Sequence, residues 1–144
     1  MFLGEYSHTL DEKGRLTLPA RFREHFSQGA VVTRGLDGCL FVFTYETWKK
    51  FTEILSEKLP FTMKSARDFS RFFFAGAQDV VPDRQGRILI PPFLRDYAGL
   101  QEDVTIIGAN TRLELWNPER WKPTLQDVES NAEKIAEQFG NITF

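Results

Sequence analysis

Apolar and polar positions along the chain alternate in short runs, then switch to a helical period, and the whole cycle occurs twice. Residues 2–9 read as a strand leading into the first turn, and Leu16 and Leu18 flanking Thr17 mark a second, short strand over residues 15–18. Phe22 and Phe26, four apart, predict a short helix over residues 20–26. Residues 30–34 and 39–44 read as two strands joined by a hairpin turn at residues 35–38. Over residues 45–59, Trp48, Phe51, Leu55 and Leu59 fall on one stripe of a helix. Pro60, Phe61 and Thr62 interrupt the pattern. Residues 64–75 then predict a helix whose Phe69, Phe72 and Phe73 form a dense aromatic face, which suits core packing better than a subunit contact.

From residue 78 the cycle restarts. A strand over residues 78–82 leads to a short strand over residues 87–90, a helix over residues 91–98 stopped by Gly99, a hairpin of residues 104–107 and 112–116, and a helix from Pro118. The tail carries Leu125, Val128, Ala132, Ile135 and Phe139 at 3-4-3-4 spacing, as an amphipathic or coiled-coil-like helix would. Docking on its own domain and contact with another subunit both explain that stripe.

The restart is a repeat of sequence as well as of pattern. At an offset of 72, Asp11 and Asp83, Gly14 and Gly86, Arg15 and Arg87, Pro19 and Pro91, and Arg23 and Arg95 are identical, where average usage would give about one identity. One register later, Val31, Gly35, Leu40 and Trp48 match Val104, Gly108, Leu113 and Trp121.

The repeated segment explains itself as a turn. An aspartate accepts hydrogen bonds from backbone N–H groups a few residues on, and a glycine three places later takes the positive φ that closes a hairpin. A proline with no N–H to donate then ends each strand and suits the first turn of a helix. Asp11, Gly14, Asp83 and Gly86 are therefore expected to fix and orient the loops, and Arg15 and Arg87 stand on rigid surface positions where turn becomes strand. A bare hairpin would accept Lys, Thr or Ser there, so the repetition of arginine points to anion or nucleic-acid contact.

Composition narrows the class. With 144 residues, 42% hydrophobic and 14% aromatic, the chain is long and apolar enough for a real core. No basic segment followed by an apolar run opens it, and no stretch approaches a membrane span, so a cytoplasmic protein without membrane contact is expected. Cys39 is the only cysteine, which excludes an internal disulfide and a thiolate metal cage; it is expected to be buried. No metal site and no cofactor are expected. The net charge of −2 hides an asymmetry. Residues 11–23 carry Lys13, Arg15, Arg21 and Arg23 against Asp11 and Glu12, and residues 83–95 carry Arg84, Arg87 and Arg95 against Asp83, so each repeated segment is +2. The tail from residue 124 carries Asp127, Glu129, Glu133 and Glu137 against Lys134, or −3. One basic face on an acidic protein results.

Two β-β-α-β units of short strands cannot each cover both faces, and mating them into a closed, pseudo-symmetric β barrel with short helices would remove the edges. The expected fold class is α+β, mainly β. The expected divisions are residues 1–60 as a first half, 61–77 as a connecting helix, 78–123 as a second half, and 124–144 as a C-terminal helix or tail.

The opening Met-Phe-Leu-Gly-Glu, the Asp11-Glu12-Lys13-Gly14-Arg15 and Asp83-Arg84-Gln85-Gly86-Arg87 turns with their following prolines, and Leu113-Glu114-Leu115-Trp116 resemble the MraZ family, related to AbrB-type transition-state regulators. The resemblance covers essentially the full length. It implies a pair of AbrB-like halves forming a swapped-hairpin barrel, a ring-shaped homo-oligomer, and a nucleoid-associated DNA-binding regulator at repeated promoter sites of the division and cell-wall gene cluster. Carried onto matching positions, the implied DNA contacts are Arg15 and Arg87, with Lys13 and Arg84 beside them.

Two other classes remain to be weighed. Duplicated half-barrels with one aspartate per loop are also how aspartic-type hydrolases place a dyad that shares a proton, but neighbouring arginines would keep both carboxylates ionised. His8 and His25, the only histidines, make no recognisable triad, so no catalytic residue is assigned. A structural or protein-interaction module would account for the Phe-rich helix and acidic tail.

Overall fold

The computed structural model describes residues 1–142. Strand β1 (Phe2–Thr9) turns into β2 (Arg15–Thr17), followed by a 3-10 helix (Ala20–Phe26), β3 (Ala30–Arg34), a 3-10 turn (Leu36–Gly38), β4 (Leu40–Thr44) and α1 (Tyr45–Lys58). After α2 (Lys64–Phe74) come β5 (Gln78–Val80), β6 (Arg87–Leu89), α3 (Pro92–Ala98), β7 (Asp103–Asn110), β8 (Leu113–Trp116) and α4 (Pro118–Glu137). Every strand and helix expected from the pattern is present, with ends shifted by one or a few residues. No helix among the described residues is long and apolar enough to cross a membrane.

The strands form an antiparallel six-stranded sheet in the order β1-β7-β8-β4-β3-β5 and a separate two-stranded ribbon, β2-β6. Reading the sheet order backwards exchanges β1 with β5, β7 with β3 and β8 with β4, which are the equivalent strands of the two repeats. A pseudo-two-fold axis therefore passes between β4 and β8 and through the ribbon. Each repeat's first strand leaves its own hairpin and pairs with the other's. β1 lies along β7 from Phe2↔Asn110 to Thr9↔Asp103, and β5 lies along β3 from Ala30↔Val80 to Val32↔Gln78.

The fold is α+β, but the expected closed barrel and the mainly-β balance are both corrected. β1 and β5 remain edges of the described sheet, and the α-helices together hold more residues than the strands. The reason is local: β2 and β6 are three residues each, and Pro19, Pro91 and Pro92 cannot extend a ladder, so they pair only with each other. Closure is achieved by side chains. Leu16 and Leu18 from the first turn-strand, Ile88 and Ile90 from the second, Phe22 from the 3-10 helix and Leu94 from α3 pack on one face of the sheet. The exposed edges are blunted by polar residues, Glu5 on β1 and Gln78 and Asp79 on the very short β5.

The opposite face carries a second, aromatic core. Phe41, Phe43 and Trp116 from β4 and β8 are covered by Trp48 and Phe51 of α1 and by Phe69, Phe72 and Phe73 of α2. The Phe-rich helix is thus core, as its spacing predicts. The Thr33 hydroxyl donates to the Phe73 carbonyl at 2.6 Å, tying β3 to the end of α2. Cys39 is fully buried; burial pushes its thiol far above the usual range, and the thiol donates to the Leu36 carbonyl at 3.3 Å, so it acts as a small core residue.

Candidate nucleic-acid interface

The ribbon brings the two repeated motifs together. Leu16 and Ile88 stand opposite each other and point into the core, which leaves Arg15, Thr17, Arg87 and Leu89 on the outer side of β2 and β6. The backbone bonds cross between the repeats: the Leu18 N–H donates to the Gly86 carbonyl at 2.8 Å, and the Ile90 N–H to the Gly14 carbonyl at 2.9 Å. Each loop is thereby pinned to the strand that follows the other loop.

The two loops are built alike. In the first, the Asp11 N–H donates to the Arg15 carbonyl at 2.9 Å and the Gly14 N–H to the Asp11 carbonyl at 3.0 Å; the corresponding distances between Asp83, Arg87 and Gly86 are both 2.9 Å. One carboxylate oxygen of Asp11 accepts from the N–H groups of Lys13 and Arg15, each at 2.9 Å, and the other accepts from Arg15 Nε at 2.7 Å. Asp83 repeats this with the N–H groups of Gln85 and Arg87 at 2.9 Å and with Arg87 Nε at 2.6 Å. The aspartate thus closes the turn with one oxygen and aims the arginine with the other. Each Nε is engaged, and the terminal amino groups make no hydrogen bond among the described residues, the geometry a fork needs for two parallel bonds to a phosphate or a guanine edge.

The motifs also touch each other: Arg87 Nη1 lies 3.9 Å from Asp11 Oδ2, which already holds Arg15. Lys13 and Arg84 are exposed loop residues whose side chains make no hydrogen bond or ion pair among the described residues. They flank the Arg15 and Arg87 pair from non-equivalent loop positions, since Arg84 matches Glu12 and Lys13 matches Gln85. Gly14 and Gly86 have φ of 79° and 75°.

Two residues of this site escape sequence reasoning. A Cβ on Gly14 would meet the guanidinium of Arg95 at 2.8 Å, and one on Gly86 would run into Arg23. Arg23 Nε donates to the Leu18 carbonyl at 3.1 Å and Arg95 Nε to the Ile90 carbonyl at 3.0 Å. Each of these half-buried arginines therefore anchors on its own repeat and fills the space beside the glycine of the other. Their identity at the 72-residue offset is a visible signal, but the cross-over that explains it is not local.

The carboxylates do not form a catalytic dyad. The backbone N–H of Arg15 and its guanidinium hold Asp11 below the usual carboxylate range, and Arg87 does the same for Asp83. Two aspartates each ionised against their own arginine have no reason to share a proton. A depressed folded-state pKa means that the unfolded chain binds more protons near that pH. The stabilisation is thus present above the ordinary value of 3.8 and is lost as pH falls through the lower folded-state value. Thermal unfolding of the wild type and of the Asp11→Asn, Asp83→Asn double variant is accordingly expected to differ at neutral pH, to begin converging as pH falls below 3.8, and to coincide only below the lower folded-state value. A constant difference across that range would remove the carboxylates from the loop's support.

Comparisons with known proteins agree with the duplicated motif. The family model described as "MraZ protein, putative antitoxin-like" matches twice, over residues 1–72 and 73–142. The protein named "Transcriptional regulator MraZ" of Heliobacterium modesticaldum is 51% identical over 138 residues, 96% of each chain. Those of the same name from Acetivibrio thermocellus and Caldicellulosiruptor saccharolyticus are each 50% identical over 142 residues, 99% of each chain. These relatives are named as regulators, not as enzymes. Matched by the family model in both repeats and by relatives along nearly its whole length, the chain belongs to the MraZ family.

Proposed function

We propose that the protein is a sequence-specific DNA-binding transcriptional regulator that acts at repeated promoter sites of the division and cell-wall gene cluster, in the cytoplasm and on the nucleoid. The observation that carries this reading is the pair of arginines, Arg15 and Arg87, each held at Nε by its own aspartate and set side by side on one ribbon. Lys13 and Arg84 add charge at the rim of the same surface. Phosphate contacts supply affinity, and base-edge contacts by the two guanidinium forks supply sequence choice. The strand exchange between repeats is the connectivity that an AbrB-like swapped-hairpin pair needs, here within one chain and with an open sheet.

An acidic chain with a small basic surface binds one site weakly and loses it quickly to salt. A ring-shaped homo-oligomer repeats that surface on one frame, and simultaneous engagement raises affinity by roughly two to four orders of magnitude. Gel shifts with DNA from upstream of the protein's own gene, carrying one, two or three copies of the bound site at two salt concentrations, are expected to show affinity and salt slope both rising with copy number. Equal affinity per site and equal slope on all three fragments would rule out multivalent binding.

A further inference from the structure

A cavity of about 550 Å³ opens between the end of the β1–β7 pair, the ribbon strand β2 and the start of α4. Its polar lining includes His8 and Thr9 of β1, Thr17 of β2, and Asp103 and Thr105 of β7, with Pro118 of α4 as an apolar side. The side chains of His8, Thr9, Thr17 and Asp103 make no hydrogen bond or ion pair among the described residues, so their donors and acceptors are open to an occupant.

The other repeat carries a purely structural version of the same corner. At the offset of 72, His8, Thr9 and Thr17 correspond to Val80, Val81 and Leu89. His8 stands opposite Val104 in the β1–β7 ladder; Val80 stands opposite Ala30 in the β5–β3 ladder and packs on the core. Apolar residues thus serve the fold at all three places, and one repeat alone carries hydrogen-bonding groups there, all lining one cavity.

Charge and bonding type define what fits. Asp103 is the only lining residue charged at neutral pH, because partial burial and the Arg23 guanidinium hold the His8 imidazole below its ordinary value of 6.5. A carboxylate only accepts hydrogen bonds, a neutral imidazole offers one donor and one acceptor nitrogen, and each threonine hydroxyl does both. An anion would face Asp103, so neither a free phosphate nor a DNA strand suits the cavity. A neutral compound with several hydroxyl groups satisfies all of these side chains, and the volume is in the range of small-ligand sites.

We infer that this cavity binds a neutral, polyhydroxylated small molecule of sugar size, and that its occupancy weakens DNA binding. The second part rests on the DNA reading above. Thr9 lies two residues before Asp11 and Thr17 two residues after Arg15, so an occupant bonded to both hydroxyls clamps the two ends of the first motif. The Leu10 N–H donates to the Glu102 carbonyl at 2.7 Å, joining that motif to the segment that carries Asp103. Thr17 also stands opposite Arg87 in the ribbon, which puts the occupant at the rim of the surface that DNA must cover. By linkage, DNA and the ligand weaken each other's binding by the same factor.

The test uses the full-length protein, with glucose, maltose and myo-inositol as neutral probes and glucose 6-phosphate as an anionic one, at millimolar concentration. The control is the Thr9→Val, Asp103→Asn double variant, altered at two exposed positions outside the arginine surface, so its melting temperature and DNA affinity without probe are expected to match the wild type. Should the pair melt low, Asp103→Asn alone takes its place. At least one neutral probe is expected to raise the melting temperature of the wild type along a saturating curve and to leave the variant unmoved, while glucose 6-phosphate moves neither. In gel shifts, that probe at saturation is expected to lower the DNA affinity of the wild type about fivefold or more and that of the variant not at all. Sugars also stabilise proteins by exclusion from their surface. A rise linear in concentration and equal in both proteins would therefore mark an adventitious additive only and overturn the site, as would no shift with any neutral probe. Saturable stabilisation with unchanged DNA affinity would overturn the coupling, and a wild type that binds no DNA would overturn the DNA reading and the coupling with it, the melting curves still deciding the site.

Discussion

A chain carrying Arg15→Ala together with Arg87→Ala is expected to remain folded and to lose about a hundredfold in affinity for its promoter DNA. Each good bidentate contact contributes about 1–3 kcal/mol of discrimination, and two contacts near the lower end of that range, at about 1.4 kcal/mol each, correspond to that factor. The fold survives because both side chains sit on the outer side of the ribbon, and each aspartate keeps its two backbone donors. The salt slope should also flatten by about one for each phosphate contact removed. Lysine at both positions should restore only part of the affinity, since an ammonium cannot bind its aspartate through one nitrogen while offering a planar fork to DNA. Gel shifts and circular dichroism of the three proteins give the answer. Undiminished affinity in the folded double-alanine variant would take DNA contact away from these residues.

Gly86→Val is expected to lower the melting temperature by about 10 °C, and Gly14→Val by a similar amount. Holding a non-glycine residue in a left-handed conformation costs roughly 1–3 kcal/mol, with a β-branched residue at the upper end, and a chain of this size loses about 3–4 °C per kcal/mol. The valine would also displace Arg23 or Arg95 from the space beside the glycine and so loosen that arginine's hold on its own repeat. Asn tolerates positive φ, so Gly86→Asn should lose less than Gly86→Val. A valine variant melting with the wild type would show that the turn does not depend on this backbone geometry.

The parts legible in the sequence are those fixed by near neighbours. Asp11, Gly14 and Pro19 determine a turn, a short strand and its end within nine residues, and the second copy makes the reading secure. Helix stripes such as Trp48, Phe51 and Leu55 are equally local, so α1 and α2 were readable with their buried faces. Closure of the sheet was not. It depends on which partners three-residue strands choose, and β2 and β6 choose each other. The roles of Arg23 and Arg95 were hidden for the same reason, because each acts beside the glycine of a distant repeat. For the tail, spacing announced an amphipathic helix but could not say how much of the stripe its own domain covers: Leu125 is partly buried, whereas Val128, Ile135 and Phe139 stay exposed.

The exchange of first strands between repeats sets the order of events at the ribosome. Phe2 pairs with Asn110, so the segment synthesised first is among the last to find its place, and nearly the whole chain must emerge before β1 can dock. At about 5–20 residues per second that leaves a wait of several seconds or more, during which the first repeat has its β3–β4 hairpin but no partner for β1. Neither repeat is then a folding unit by itself. The protein is expected to gain and lose its structure in one concerted step, with no stage at which one half stands complete beside an unstructured other.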